Sequence, residues 1–256
     1  MDLFEVDELL VYRGKDIKLT DSVTVKIPTL EEIAVFGERE YFSTVYTFTS
    51  VGADLKWQLW DMGIDYTTID DYDLFIKLIS QIFSADKQDD ESKDKKRINP
   101  VGLFLKDIDF KDMQPYKYND NDIVLYNKEK DIVFGRTAYL KSVELIRKIH
   151  GLKRNNERPG NERTKMDMIQ DARDEAMMAK NKPYKSALLP LISTLEVKCG
   201  QNGDERIWNM PVSMFFYNIR RMGVIQDAEC LLHGAYSGFA SLKGVDKKRL
   251  NMFSDI

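Results

Sequence analysis

Residues 86–97 form a run of twelve positions, Asp86 to Arg97, without one apolar side chain. Five acids and five bases cancel within it, with only Gln88 and Ser92 between them. A stretch with nothing to bury cannot enter a core. It reads as a charged flexible linker or a solvated helix end, and it parts residues 1–85 from residues 98–256.

The segment before this run has helical spacing. Leu74, Leu78 and Ile82 repeat every four residues, and Phe75, Ile79 and Phe83 repeat beside them. Two adjacent rows make a broad buried stripe, with Asp70 or Asp71 as the N-cap. A shorter helix is expected over 53–62. Leu55, Leu59 and Met62 share a side there, Trp57 and Trp60 lie alongside, and Gly63 is the C-cap.

Nearer the start, Leu9-Leu10-Val11-Tyr12 reads as extended, and Arg13-Gly14-Lys15-Asp16 as a turn. Ile17–Leu19 and Val23–Ile27 alternate apolar and polar, which suits half-buried strands. Pro28 ends that ladder because it has no N–H to donate. Thr29 is the expected cap of a helix with Glu31 and Glu32 in its first turn. Ile33, Phe36, Tyr41 and Val45 carry a helical face onward, interrupted near Gly37.

Beyond the charged run, residues 103–108 suit a strand or a short helix. Ile123–Tyr126 and Ile132–Phe134 flank five polar residues and read as a hairpin. A helix capped by Thr137 follows, with Leu140, Val143 and Ile146 on one face, and ends at His150-Gly151. The 163–181 stretch is strongly polar, with a thin stripe of Met166, Ile169, Ala172, Ala176 and Ala179. A helix of that kind lies on the surface or packs against another subunit. Pro190 kinks or starts an apolar helix over 186–195. Residues 210–222 form an aromatic-rich helix, 228–232 a short apolar stretch, and 233–239 a turn between helical segments. The fold class expected is α+β: a small N-terminal β element and a central hairpin, with a mainly helical remainder packed against the N-terminal part.

Composition narrows the function. Aromatics make up 11% of the 256 residues, too many for a solvated coil. A net charge of −4 argues against a general nucleic-acid binder. Cys199 and Cys230 cannot build a disulfide framework. With His150 and His233 as the only histidines, paired metal-ligand spacings are missing. No phosphate-binding glycine loop or nucleophile elbow occurs, and no cofactor is expected. The acidic start, Met1-Asp2-Leu3-Phe4-Glu5, lacks the features of a secretory leader, and no apolar run suits a membrane span.

The strongest charge feature is residues 147–165. Arg147, Lys148, Lys153, Arg154, Arg158, Arg163 and Lys165 face only Glu157 and Glu162, an excess of five positive charges. A phosphate-backbone contact, a solvated loop paired with acids elsewhere, and a protein-partner surface all fit. The loop lacks stacking aromatics, which weakens a single-strand nucleic-acid role. Arginine clusters favour bidentate contacts with carboxylates, so a protein partner is the stronger reading. Trp57 with Trp60, and Phe215 with Phe216, are further candidate partner surfaces, each with core packing as its alternative. Asp70-Asp71-Tyr72-Asp73 and Asp120-Asn121-Asp122 lack cation-loop spacing and read as a cap and a turn. Cys230 and His233 lie within a helical turn, but a nucleophile pair needs an orienting third group.

Several phrases look familiar together. They are Ile27-Pro28-Thr29-Leu30-Glu31-Glu32-Ile33, residues 54–65 (DLKWQLWDMGID), His150-Gly151-Leu152-Lys153, Lys182-Pro183-Tyr184-Lys185-Ser186 and His233-Gly234-Ala235-Tyr236-Ser237-Gly238. They resemble uncharacterised proteins from the tail or morphogenesis regions of tailed bacteriophages and prophages of Gram-positive hosts. That resemblance implies a virion-morphogenesis role, foremost a non-enzymatic tail assembly chaperone. Such a protein binds the tape-measure or tail-tube protein in the host cytoplasm; apart from the resemblance, self-association is a further partner option for this chain. The alternatives are a structural tail or connector component retained in the virion, and an enzyme or nucleic-acid-binding protein.

Overall fold

The computed structural model describes residues 6–84, 99–117, 123–180, 182–200, 205–239 and 241–254. The 86–97 run and the Asp120–Asp122 triplet lie outside the described residues. The first described element is a helix, α1 (Glu8–Tyr12), where an extended segment was expected. Asp7 accepts from the backbone N–H groups of Leu9 and Leu10, and only Val11 of the helix is buried. One buried residue in five gives no alternation for a strand, and the local cap decides the outcome.

Gly14, at φ +69°, turns the chain into β1 (Ile17–Lys18), which pairs antiparallel with β2 (Thr24–Val25) in the register Ile17↔Val25 and Lys18↔Thr24. The 103–108 stretch resolves into the end of a 3-10 turn (Pro100–Leu103) and an isolated bridge from Leu105 to Val25. α2 (Leu30–Phe36) begins with a capping box, in which Thr29 Oγ1 accepts from Glu32 N at 3.2 Å and Glu32 Oε2 accepts from Thr29 N at 2.9 Å. Gly37, at φ +111°, separates it from α3 (Glu38–Thr49).

A 3-10 turn (Gly52–Leu55) leads into α4 (Lys56–Asp61). Asp70 caps α5 (Asp71–Leu74), which continues through one π-helical stretch (Phe75–Ile79) into α6 (Ser80–Ser84). The expected hairpin is β4 (Ile123–Asn127) with β5 (Ile132–Phe134), and β3 (Gln114–Lys117) adds a third antiparallel strand at the β4 edge. β3 is exposed along its whole length and carries Pro115, so it left no burial pattern to read.

α7 (Arg136–His150) is capped by Gly135 instead of Thr137. A Cβ at Gly135 would lie 3.2 Å from Val124 Cγ1, so the close approach of helix and sheet sets the boundary. Then come α8 (Glu162–Lys180), α9 (Leu188–Cys199), α10 (Glu205–Trp208) and α11 (Val212–Tyr236). α9 starts just before Pro190, whose missing N–H falls in the first turn. α11 is one helix where two segments and a turn were expected. His233 to Tyr236 belong to its last turn, and the chain reverses at Gly238, at φ +73°.

The centre of the core is aromatic and is built by the first 150 residues, and Ile169, Leu188, Ile192, Leu195, Ile207, Val212 and Phe215 extend it from the later helices. Phe75 stacks on Tyr139 at 4.3 Å between centroids and meets Phe110 at 5.4 Å and Phe134 at 5.5 Å. Phe48 joins them, 6.0 Å from Phe75 and 5.3 Å from Phe104. These six side chains are each at most 1% exposed. Rows Leu74/Leu78 and Phe75/Ile79 of the expected stripe thus face a real interior. The later helices attach to this body by single faces. α8 packs on α4, and α11 packs on α7 and α1. Glu38 Oε1 accepts from Ala187 N and Leu188 N at 2.7 and 2.8 Å, capping α9 from α3.

Candidate functional site

The basic stretch 147–165 is distributed over the end of α7, an irregular loop and the start of α8. Four of its seven bases are engaged within the chain. Arg147 reaches back from α7 to the carbonyl of Thr49, and its burial lowers the guanidinium pKa from the ordinary value. Lys148 pairs with Glu8 at 2.6 Å. Arg154 makes a forked contact with Asp71, its Nη2 3.0 Å and its Nε 3.2 Å from the carboxylate. Lys165, almost fully buried, sits 2.7 Å from Asp65. Lys153, Arg158 and Arg163 are exposed and make no ion pair among the described residues.

Further ties run the same way. Asn155 Nδ2 donates to Asp54 at 2.9 Å, Lys56 pairs with Glu157 at 2.5 Å, and Arg173 of α8 pairs with Asp61. The loop and α8 are therefore strapped across residues 54–71 by alternating charges. Of the readings open for this segment, pairing with acids elsewhere accounts for these contacts. Lys148, Arg154 and Lys165 already hold a carboxylate from inside, and Lys153, Arg158 and Arg163 remain turned to the outside.

The chemistry along this seam is that of fixed charges. The hydrogen bond and charge of Lys165, with the Thr67 N–H and hydroxyl, hold the Asp65 carboxyl down at about 2. Asp65 in turn raises the Lys165 pKa, so that amine stays protonated and is no nucleophile. Tyr66, next to Asp65, is buried, and its hydroxyl has no hydrogen-bond partner among the described residues. Burial raises this phenol, while Lys56 and Lys165 oppose the rise.

The aromatic candidates separate. Phe215 is fully buried, and Phe216 packs 5.5 Å from it and 6.1 Å from the His150 ring, so this pair belongs to the packed interior of α11. Trp57 is half-buried against the core, and Trp60 is 40% exposed. His150 is structural. Its Nδ1 lies 2.7 Å from the carbonyl of Ile146, which can only accept, so Nδ1 carries the proton. Nε2 then accepts from the Tyr41 hydroxyl at 2.7 Å. Burial lowers this imidazole to about 4 and pushes the Tyr41 phenol up.

Cys230 and His233 are both exposed on α11. Asp70 caps α5 and pairs with Arg136, and Asp71 holds Arg154. Among the described residues no group of three His, Cys, Asp or Glu side chains is placed to hold a metal, and no helix is long and apolar enough to cross a membrane.

What the sequence reading missed lies on outer helix faces. α9 buries Leu188, Ile192 and Leu195, yet Leu189 and Val197 on its other side are 65% and 71% exposed. The run Leu188-Leu189-Pro190-Leu191-Ile192 carried that signal, being too continuous for a helix with one wet face. No known protein family, curated protein or solved structure matches the chain.

Proposed function

We propose that this protein is a non-enzymatic binding protein of virion assembly, acting in the host cytoplasm as a tail assembly chaperone for the tape-measure or tail-tube protein of a tailed bacteriophage. The phage setting rests on the resemblance carried by the phrases at 27–33, 54–65, 150–153, 182–186 and 233–238. The binding mode rests on one observation, the exposed Leu189 and Val197 on the outward side of α9. A helix that is apolar on both sides is normally covered on both. The inner face meets the core, and a second apolar helix from a client would cover Leu189 and Val197 as a helix covers a groove.

Co-expression with a tape-measure protein of a tailed phage is the test. The expected result is co-purification that Leu189→Asp with Val197→Asp abolishes while the far-ultraviolet circular dichroism is kept. Absence of association under co-expression overturns the reading. Mass spectrometry of purified particles then separates the roles: a chaperone is missing from mature virions, whereas a structural tail or connector component is retained.

A further inference from the structure

α8 has two unlike faces. Lys165, Ile169, Ala172 and Ala176 turn toward the body, and Asp167, Asp171 and Asp174 follow one another on the opposite side at spacings of four and three. Met178 extends that outer row, and both Met177 and Met178 are exposed. The cations of α8 that form ion pairs, Lys165 and Arg173, are spent on Asp65 and Asp61. Asp167 and Asp171 have no cationic partner among the described residues, and Asp174 is met only by the amide of Gln170 at 2.9 Å. Like charges at this spacing repel within a helix, and a facing cationic surface would relieve them.

Such a surface lies at the other end of the chain. Tyr236, Phe239 and Phe253 are 88%, 93% and 87% exposed, the three most exposed large hydrophobic side chains described. In the same terminal segment Lys243, Lys247 and Lys248 are exposed and unpaired among the described residues, with Asp246 between them in sequence and Asp227 of α11, held by Arg249, across the cleft. The segment is held in place. Arg221 Nη1 donates to the carbonyls of Met252 and Ser254 at 2.9 and 2.7 Å, and Arg249 forks onto Asp227 at 2.8 and 2.9 Å. A cleft of about 520 Å³ opens between α11 and this segment, edged by Val224, Lys248 and Phe253. A fixed basic and aromatic surface loses little freedom when it is covered.

We infer that the protein associates with itself head to tail, the acidic, methionine-bearing face of α8 on one copy seating on the basic, aromatic surface of residues 236–239 and 241–254 on the next. The charges are complementary, both surfaces carry exposed apolar groups, and the two lie on elements that pack against different parts of the body. A contact between unlike surfaces is heterologous, so it propagates into a ring or an open filament instead of stopping at a symmetric dimer. The inference goes beyond the chaperone reading and does not depend on it, since neither surface includes α9.

Sedimentation of the full chain over the micromolar range tests it, at about 0.05 M and about 0.5 M NaCl, where screening differs strongly. The expected result is a mass above the monomer that grows with concentration and shrinks with salt. Reversing either face, by Asp167→Lys, Asp171→Lys and Asp174→Lys or by Lys243→Glu, Lys247→Glu and Lys248→Glu, should weaken association by at least about tenfold. Mixing the two reversed proteins should restore it, because every facing pair is again opposite in sign. Phe239→Ser with Phe253→Ser, at positions too exposed to affect folding, should weaken it as well. A chain that stays monomeric throughout, or an assembly insensitive to both reversals, overturns the inference. Large species that vanish on nuclease treatment also overturn it, in favour of a polyanion on the basic surface.

Discussion

Phe75 and Phe239 are the same side chain in opposite settings. Phe75 is fully enclosed by Phe48, Phe110, Phe134 and Tyr139, whereas Phe239 is 93% exposed just past the end of α11. The contrast extends to the regions they belong to. Residues 6–150 hold the aromatic cluster and most of the fully buried side chains. In residues 162–254 each helix buries a few residues, among them Ile169, Leu188, Ile192, Leu195 and Phe215, and leaves other apolar groups outside. Both regions leave apolar side chains outside, Val35 and Leu9 among them in the first, but only the first encloses an aromatic cluster, and the most exposed large apolar groups described, Tyr236, Phe239 and Phe253, belong to the second.

The largest test of this contrast is truncation in each region. Phe75→Ala should lower the stability measured by urea unfolding by about 3–5 kcal/mol, since it removes a ring from a packed cluster. Phe239→Ala should change it by no more than about 0.5 kcal/mol. Equal losses would abolish the distinction.

Acid probes the join between the two regions, where His150 of α7 meets Tyr41 of α3 and Phe216 of α11. The folded state keeps this imidazole neutral down to about 4, while the unfolded chain binds a proton below about 6.5. Its contribution is therefore complete above that upper value and is lost as the pH falls through the window, by about 3 kcal/mol in all. The measurement is urea stability across this range, in which His150→Gln should show a flatter pH profile than the parent protein. Profiles of equal slope would mean that the ring is protonated in the fold.

The smallest effect belongs to the charged strap. Arg154→Ala should cost no more than about 1 kcal/mol, because the pair with Asp71 is partly exposed, and less in high salt. Hydrogen exchange should nonetheless quicken in residues 152–161, whose attachment is mostly polar. A loss comparable to that of Phe75→Ala would show that the strap belongs to the core.

Sequence spacing exposed the parts of the fold whose causes are local. Thr29 and Asp70 as caps, the break at Gly37, the stripe from Leu74 to Ile79 and the β4–β5 hairpin follow from side chains within a few residues of each other, whereas Ile82, expected in the same stripe, is exposed beyond the π-helical stretch. The failures have non-local causes. Gly135 replaced Thr137 as a cap because the helix approaches Val124. α11 ran through 233–236 because nothing packed there to stop it. At the candidate sites, charge counting found the basic 147–165 segment but not its partners, because Asp71, Asp65, Thr49 and Glu8 are about 80 to 140 residues away.

The sequence by itself determined that an α+β body with helical later parts would form, since periodicity, caps and turns act over short range. It also determined where positive charge would gather. Only the tertiary structure decided that four of the seven bases in 147–165 would be engaged internally, that Phe215 would be core and Phe239 surface, and that outward groups of α8 and α9 would stay uncovered. Those outcomes depend on which distant segments meet, and burial and ion pairing are properties of the meeting and not of either residue alone.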